Sequence, residues 1–362
     1  MIKVLLAGAG FIADIHAESY RRFVADAEVV GVYSSSDERA RAFAQKHGIP
    51  RWYTDIGAAL SRSECDVVDI CLPNDLHARV TIQAAKAGKH VIIEKPLCLT
   101  LEEADEMIAI CAAHNRKLMY AEELCFAPKY ERVRHLVREG AVGSVYHLRQ
   151  CEKHSGPHSD WFYDLDRSGG GALMDMGCHG FAWFRWMLGP TAKPLTVSAH
   201  MQTGLLHGAR TRCEENSVCI VEFDGGVIGV VENSWAKHGG MEDRVEVSGT
   251  GGVVYADLFM GNSALTYSQN GYGYAMEKAG ATQGWTFTNF EEAFNQGYPQ
   301  ELQHFIACVR DDSLPLTTGE DGRAVLEMLN AAYYSARTGC KVALPFRPTV
   351  SKPIDLWLGP GE

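Results

Sequence analysis

Short apolar runs alternate with amphipathic segments over residues 1–121. Between the apolar runs lie helical patterns, among them 37–47 closed by Gly48 and 76–87 closed by Gly88. Thr100 and Glu103 have the spacing of a capping box that begins another helix. This alternation predicts βαβ units around a parallel sheet. The predicted strands are Ile2–Ala7, Val29–Tyr33, Val67–Leu72, Val91–Glu94 and Lys117–Ala121.

After Ala121 the alternation stops, and most later apolar runs have the length of strands. Asp224-Gly225-Gly226 between two of them indicates a hairpin, so a mostly antiparallel sheet is expected. Helices are predicted at Pro128–Glu139, Glu301–Val309 and Arg323–Thr338. The predicted strands are Ser144–Glu152, Leu195–Met201, Ser217–Phe223, Val227–Trp235, Arg244–Ser248 and Val253–Leu258.

Composition narrows the class of protein. The 362 residues are 46% hydrophobic and 22% charged, which fits a folded chain of two or three domains. The net charge of -11 disfavours a nucleic-acid partner. There is no run of 18 apolar residues, and the start lacks the features of a signal peptide, so we expect no membrane span and a cytoplasmic location. The 11 cysteines form no C-x-x-C pair and are interpreted as buried, reduced thiols.

The first strand runs into a G-x-G-x-x-A sequence that opens a helix. Gly8 allows the tight turn, Gly10 lets the backbone approach a pyrophosphate, and Ala13 lets the helix pack closely on the strand. The helix start directs free N–H groups and its positive dipole end at the phosphates. Dinucleotide binding is therefore predicted, with a glycine turn lacking a ligand as the alternative. The predicted contacts here are Gly8, Gly10, Phe11 and Ile12.

The second strand ends where the adenosine ribose is expected, in Tyr33-Ser34-Ser35-Ser36-Asp37. The strand tip has neither the carboxylate that usually marks an NAD site nor an adjacent Arg for a 2′-phosphate. Asp37 is interpreted as the N-cap of the next helix. The hydroxyls of Ser34 and Ser35 suit either NAD or NADP, and the missing phosphate clamp favours NAD.

Several later motifs carry a family resemblance. Together with the glycine motif, they resemble the glucose–fructose oxidoreductase, inositol dehydrogenase and rhizopine catabolism (Gfo/Idh/MocA) family over nearly the whole chain. The motifs are Glu94-Lys95-Pro96, the Ser168–His179 stretch, the loop Cys71–His77, Tyr333–Gly339 and Leu344-Pro345-Phe346.

The resemblance implies an α/β Rossmann domain at 1–121, followed by an α+β domain at 122–362 with a large, mostly antiparallel open sheet. The α+β domain would bind substrate and form oligomers. The resemblance also implies that Lys95, Asp175 and His179 form the catalytic constellation. Further cofactor contacts are expected at Leu72, Asn74, His77, Glu94 and Lys95.

The residue types suit the oxidation of a secondary alcohol. His179 can accept the hydroxyl proton because imidazole titrates near neutrality. Asp175 precedes it by four residues in a predicted helix, so both can face one cleft. Asp175 can orient His179 or hold a neighbouring hydroxyl. Lys95 ends a parallel strand, where it can hydrogen-bond the reacting oxygen, and Pro96 can adopt a cis bond.

The stretch from Glu152 to Phe162 interleaves polar and aromatic residues before the predicted catalytic helix. His154, Asp160 and Trp161 are predicted to bind substrate, since such groups bind sugar hydroxyls and cover apolar C–H faces. A structural loop is one alternative. A metal site is another, from His154, His158, Asp160 and Cys178, although the spacing matches no strong metal pattern and we predict no metal. Trp235 and Tyr298 are interpreted as packing residues.

The leading hypothesis is an NAD(P)-dependent dehydrogenase acting on a ring hydroxyl of a sugar, glycoside or inositol. One alternative is a glycoside-processing enzyme that retains and recycles NAD through a 3-keto sugar. The other is a sugar-responsive regulator, which would be expected to lose Lys95 or His179. A large one-sided sheet must cover its apolar face, so a homodimer or homotetramer is expected.

Overall fold

A computed structural model of the chain describes residues 1–260, 264–288 and 291–359. The strands in these residues are β1 Ile2–Ala7, β2 Ala27–Tyr33, β3 Trp52–Tyr53, β4 Val67–Ile70, β5 His90–Glu94, β6 Leu118–Ala121, β7 Val145–Lys153, β8 Pro194–Gln202, β9 Asn216–Phe223, β10 Ile228–Ser234, β11 Glu242–Gly249, β12 Gly252–Asp257, β13 Ala264–Ser268, β14 Gly284–Thr288 and β15 Val342–Ala343.

The α-helices lie between and after these strands. They are α1 Phe11–Phe23, α2 Asp37–His47, α3 Ile56–Arg62, α4 His77–Lys86, α5 Leu101–Ala113, α6 Pro128–Arg138, α7 Leu165–Ser168, α8 Cys178–Leu188, α9 Glu292–Gln296, α10 Tyr298–Arg310, α11 Gly319–Thr338 and α12 Asp355–Leu358. A π-helical turn at Leu173–Gly177 directly precedes α8.

The first sheet has six parallel strands in the order β3-β2-β1-β4-β5-β6. Its central strands are nearly continuous apolar runs, as expected where both faces of a parallel sheet are covered. Leu5, Leu6, Val67 and Val68 are fully buried. The strand order reverses beside β1, and open sheets of this kind bind ligands outside the carboxyl ends of the strands at that point. The predicted Rossmann architecture is confirmed.

The second sheet has seven strands in the order β12-β11-β7-β10-β9-β8-β15. Its neighbouring strands are antiparallel except for β7 and β10, which are parallel. Helix α8 lies close against β10, where a Cβ on Gly229 would come 2.4 Å from the Phe184 ring. The predicted open, mostly antiparallel sheet is confirmed as a mixed sheet.

The chain forms two compact units. One consists of Met1–Glu123 and Gly297–Leu326; the other consists of the described residues within Leu124–Gln296 and Glu327–Glu362. Helix α10 and the start of α11 therefore pack with the parallel sheet. The functional division at residues 121 and 122 stays a prediction.

Two local features differ from the sequence predictions. Asp37 is not the N-cap of α2: Ser36 Oγ accepts the Arg39 N–H at 3.3 Å, and Asp37 is the first residue of the helix. The predicted helix through Asp175 and His179 is also not regular, because its first turn is the π-helical turn 173–177. Single π-helical turns of this kind are frequent at functional sites.

No pattern predicts β3, β15 or the hairpin of β13 and β14. The first two contain two residues each, too few to show a period. Within the described parts of the chain, no helix combines the length and the apolar character needed to cross a bilayer. All 11 cysteines are free thiols, and ten of them are buried.

Candidate active site

The turn between β1 and α1 is built from glycine. Gly8 has φ 136°, and a Cβ there would come 2.2 Å from the Cys71 carbonyl oxygen. Gly10 is the N-cap of α1, and no described side chain caps its N–H groups. A Cβ on Gly10 would meet no described atom within 4 Å. Phe11 is exposed and Ile12 is half-buried at the helix start. The open space beside Gly10 and the N–H groups at the start of α1 fit a pyrophosphate at this position.

The end of β2 presents hydroxyls and one carboxylate. Ser34 is buried, and its Oγ accepts the Ser36 N–H at 3.4 Å, whereas Ser35 is exposed. The exposed Asp37 accepts a hydrogen bond from Trp52 Nε1 at 3.1 Å. The strand end therefore offers a ribose serine hydroxyls, which donate or accept hydrogen bonds, and the Asp37 carboxylate, which accepts them.

His77 joins the loops that follow β4 and β5. Its Nδ1 lies 2.9 Å from the Pro96 carbonyl oxygen, and its Nε2 lies 2.8 Å from the Leu72 carbonyl oxygen. Burial lowers the pKa of His77, although both carbonyls favour its charged form. Asn74 is buried in a short turn, and Leu72 is half-buried. His77 thus contacts main chain on both sides and fixes the loops on which the predicted cofactor contacts lie.

Lys95 lies at the carboxyl end of β5, half-buried, in a cis bond to Pro96. Glu94 is buried, and its Oε2 accepts the Lys95 N–H at 3.2 Å. Burial raises the pKa of Glu122 to about 8. The Glu94 charge also raises this pKa, whereas the Lys95 charge lowers it. Lys95 therefore lies in the field of two buried carboxyl groups.

In the other unit, Glu214 anchors the start of the π-helical turn. Its Oε1 accepts the N–H groups of Gly171 and Leu173, both at 2.9 Å, and the Tyr333 hydroxyl at 2.7 Å. Burial raises the pKa of Glu214 to about 7, although these hydrogen bonds stabilise the carboxylate and lower its pKa. A Cβ on Gly171 would come 2.1 Å from the Glu214 carbonyl oxygen. Glycine is therefore required where the chain turns towards Asp175.

Asp175 and His179 are both buried, with 8% and 2% exposure. Trp235 Nε1 donates to Asp175 Oδ2 at 3.0 Å. Trp235 was predicted to pack, and it does contact Phe162 and Tyr163 edge-on. Its indole N–H nevertheless fixes one oxygen of the predicted catalytic carboxylate. A lone Trp directly after a strand gives no sequence signal for that role.

The three predicted substrate residues have different surroundings. His154 is 3% exposed, and among the described residues its Nδ1 has no hydrogen-bond partner. Trp161 is half-buried and stacks on Phe162 with ring centroids 3.9 Å apart. The Asp160 side chain is 91% exposed and pairs with Arg210 at 2.7 Å. Only His154 is an enclosed polar group.

Two residues near His154 carry no recognisable sequence signal. Glu277 pairs with His158 at 2.7 Å, and Lys278 Nζ donates to the Gly156 carbonyl oxygen at 2.7 Å. Burial lowers the pKa of Lys278, although the charges of Glu277 and Asp175 act in the opposite direction and raise it. Burial likewise lowers the pKa of His154 to about 4, against the Asp175 charge.

Comparison with known proteins places these features in a family. A model described as "Oxidoreductase family, NAD-binding Rossmann fold" matches residues 2–122, and one described as "GFO/IDH/MocA C-terminal domain" matches 130–255. The D-glucoside 3-dehydrogenase of Escherichia coli K12 is 30% identical, over 95% of this chain and 97% of that protein. The chain belongs to the Gfo/Idh/MocA family.

Two further proteins are similar to this chain over most of their length. The myo-inositol 2-dehydrogenase of Thermotoga maritima is 26% identical, over 91% of this chain and 95% of that protein. The crystal structure of GenD2, from gentamicin A biosynthesis, in complex with NAD has a TM-score of 0.89. It is 32% identical and covers 95% of this chain and 97% of the GenD2 chain. The chain is thus an NAD-dependent oxidoreductase of this family.

Three of the four ligands in the metal alternative for the loop have other contacts, and the first is His158, which pairs with Glu277. Asp160 pairs with Arg210, and Cys178 Sγ donates to the Asp175 carbonyl oxygen at 3.3 Å. Glu277 and Lys278 lie beyond residue 255, where the match to the Gfo/Idh/MocA C-terminal model ends. The roles of the individual site residues stay predictions.

Proposed function

We propose that this enzyme oxidises a secondary ring hydroxyl of a glycoside, with a D-glucoside oxidised at C3 as the first substrate to test. The 30% identity to a D-glucoside 3-dehydrogenase over almost the whole of both chains supports this choice among sugars and inositols. The similarity to GenD2, from gentamicin A biosynthesis, also favours a sugar within a larger glycoside.

The observation that carries the proposal is the environment of Asp175. Asp175 is a buried carboxylate, and the hydrogen bond from Trp235 Nε1 to its Oδ2 fixes its orientation. It lies four residues before His179, at a turn widened by one residue. Such a carboxylate suits a role in holding a substrate hydroxyl or orienting an imidazole.

The remaining steps follow from the chemistry of the side chains. Lys95 donates a hydrogen bond to the reacting oxygen and stabilises the negative charge that develops on it. His179 accepts the hydroxyl proton. Bound NAD would supply C4 of its nicotinamide ring as the acceptor for the hydride on the same carbon. The alcohol thereby loses one proton and one hydride and becomes a ketone.

Cofactor preference rests on the end of β2. The exposed Asp37 and Ser35 suit the ribose hydroxyls of NAD, whereas a 2′-phosphate beside the Asp37 carboxylate would be repelled. We therefore extend the proposal to NAD in preference to NADP. Gly8, Gly10, Phe11 and Ile12 at the start of α1 would bind the pyrophosphate.

Substrate recognition is assigned to the groups around His154. Its Nδ1 and the Lys278 ammonium are donors or acceptors of the kind that sugar hydroxyls need, and the Trp161 ring suits an apolar sugar face. Asp160, which already pairs with Arg210, remains a predicted outer contact.

The test is NAD⁺ reduction, followed by absorbance at about 340 nm, with methyl glucosides, free glucose and inositols as substrates. The proposal expects the highest kcat/KM with a glucoside and a 3-keto product by NMR. Absorbance of the purified protein before any addition reports whether NAD is retained. If inositols are oxidised faster than every glucoside, the substrate assignment is wrong.

We also propose that two or four copies associate through the outer face of the second sheet. Its exposed apolar residues share one face: Val218, Ile220, Ile228, Val253 and Tyr255, with 39–69% exposure. Exposed apolar residues gathered on one face of a sheet are typical of interfaces. Light scattering tests this, and a monomer at micromolar concentration would exclude it. The free cysteines favour a cytoplasmic location, where thiols stay reduced.

A further inference from the structure

A histidine occupies the core-facing side of α1. Ala13, His16, Ala17 and Tyr20 are the buried positions that face the parallel sheet, and His16 is completely buried. Three of these residues are apolar or largely so, and a buried imidazole among them is costly unless its nitrogens are paired. The partners of His16 therefore indicate why it lies there.

Each ring nitrogen of His16 faces a carboxylate. Nδ1 lies 2.9 Å from Asp69 Oδ2, and Nε2 lies 3.0 Å from Glu94 Oε1. The Nδ1 contact is a hydrogen bond, whereas the Nε2 contact is at ion-pair distance but lacks hydrogen-bond geometry. Burial alone would lower the pKa of His16, but the Asp69 charge, together with Cys71, raises it well above the usual value. Two carboxylates at these distances favour the imidazolium form of His16.

The two carboxylates belong to neighbouring strands but lie at different depths. Asp69 lies within β4 and also accepts the Tyr20 hydroxyl at 3.1 Å, whereas Glu94 is the last residue of β5. Glu94 Oε2 in turn accepts the Lys95 N–H. One oxygen of the Glu94 carboxylate is thus within ion-pair distance of His16, and the other accepts a hydrogen bond from the start of the Lys95-Pro96 loop.

We propose that His16 is a positioning residue that holds the Glu94 carboxylate in the orientation in which it binds NAD. The inference rests on the proposed NAD-dependent function and on the cofactor contact that the sequence predicts for Glu94. Glu94 lies at the carboxyl edge of the sheet, where such folds bind nucleotides, and α1 starts at the pyrophosphate turn. Helix α1 would then position the cofactor at two places. Its N-terminus would bind the pyrophosphate through backbone N–H groups, and His16 on its buried side would hold Glu94 at the end of β5.

A buried metal ion is the competing explanation, since ligand atoms of His16, Asp69 and Cys71 lie within 4.8 Å of one another. A metal needs a deprotonated thiol and an unprotonated imidazole nitrogen. Burial and the Asp69 charge instead raise the pKa of Cys71 far above its usual value. The thiol lies 3.6 Å from Asp69 Oδ1, placed to donate to it. The arrangement is one of donors around carboxylates.

The test is a double-mutant cycle on NAD affinity, measured by calorimetry without any sugar. His16→Gln is expected to raise the Kd for NAD about tenfold, the effect of roughly 1.4 kcal/mol. Glu94→Gln is expected to raise the Kd by at least as much. If His16 acts through Glu94, the double variant loses no more than Glu94→Gln alone. Losses that add, or an unchanged Kd in His16→Gln, overturn the proposal.

Tyr20→Phe is the matched control, because it removes another donor to Asp69 without touching Glu94. It is expected to lower the thermal midpoint and leave the Kd for NAD unchanged. Should His16→Gln not fold, Asp69→Asn loosens the imidazole from its other side and is expected to weaken NAD binding several-fold; unchanged binding contradicts the proposal. A rise in thermal midpoint with Zn²⁺ alone, lost in His16→Gln, would instead identify a metal site. Failure of the glucoside assignment appears separately, as absent NAD⁺ reduction with normal NAD binding.

Discussion

The two units form their predicted sites in different ways. The nucleotide-binding turn uses backbone groups contributed by consecutive residues, Gly8 to Ile12, and a helix start with no capping side chain among the described residues. The predicted substrate site uses side chains from distant segments: Trp235 and Asp175 are 60 residues apart, and Lys278 and Gly156 are 122 apart. Nucleotide binding therefore leaves a local sequence motif, whereas substrate binding depends on contacts that only the folded sheet creates.

The largest effect is expected from Lys95→Ala, which separates chemistry from cofactor binding. Loss of a hydrogen-bond donor to the reacting oxygen is expected to lower kcat about 10²–10³-fold, while the Kd for NAD changes little. Steady-state kinetics and calorimetry measure the two quantities. Lys86→Ala, on an exposed helix end, is the control. Near-normal turnover in Lys95→Ala would remove Lys95 from the mechanism.

Asp175→Asn tests the substrate side of the comparison. The neutral amide keeps the size of the side chain but loses the charge and places an N–H where an acceptor is needed. We expect kcat/KM for the glucoside to fall about 10–100-fold, the range for a hydrogen bond to a charged group.

Two further variants frame that result. Trp235→Phe is expected to give a smaller loss in kcat/KM, because it removes one hydrogen-bond donor to Asp175 and leaves the Asp175 charge in place. Asp166→Asn, in an exposed pair with Lys352, is expected to have no effect. Equal kinetics for Asp175→Asn and the wild type would show that the carboxylate is structural.

The sequence predicts those parts of the fold that repeat a period or a glycine motif. Both sheets and the Thr100–Glu103 capping box are confirmed. The role of Ser36 as N-cap was not predicted because Asp37 beside it is an equally good capping residue. The π-helical turn was not predicted because the four-residue separation of Asp175 and His179 along the sequence is typical of an ordinary α-helix.

The site residues that sequence reasoning missed fall into two kinds. His16 could have been found, because a histidine three residues after Ala13 interrupts the apolar side of α1. Glu214 and Lys278 could not, since their partners Gly171 and Gly156 are main-chain groups in remote segments. Main-chain partners leave no trace in the residue types, so only the fold reveals them.

A pH experiment compares the enclosed His154 with an exposed histidine. The pKa of His154 falls from 6.5 to about 4 on burial, so the unfolded chain binds more protons between these pH values. Above pH 6.5 the His154 ring is neutral in both states and does not reduce the free energy of unfolding. As the pH falls from 6.5 towards 4, the free energy of unfolding decreases because only the unfolded chain binds the proton readily. His154→Gln is expected to remove an acid destabilisation of about 1–3 kcal/mol.

Thermal midpoints measured across this pH range check the expectation. The midpoint of His154→Gln is expected to fall less steeply with acid than that of the wild type. His135→Gln, whose ring is 58% exposed, is expected to follow the wild type. Parallel curves for His154→Gln and the wild type would mean that His154 is hydrated and not enclosed.

The smallest effect is expected from Lys278→Met, which asks whether a segment beyond the matched family model takes part in substrate binding. The Lys278 ammonium uses one of its three donors on the Gly156 carbonyl oxygen, leaving N–H groups in the field of Asp175. A hydrogen bond to a ring hydroxyl is worth about 1 kcal/mol, so KM for the glucoside should rise about fivefold. The kcat should change little because the proposed contact is equally strong in the ground and transition states. Lys278→Arg should recover part of the affinity, and Lys352→Met, which removes an equivalent cation from a surface pair, should leave KM unchanged. If Lys278→Met raises KM equally for glucosides and inositols, Lys278 only supports the Gly156 turn, and substrate selection lies with Asp175 and its neighbours within the matched region.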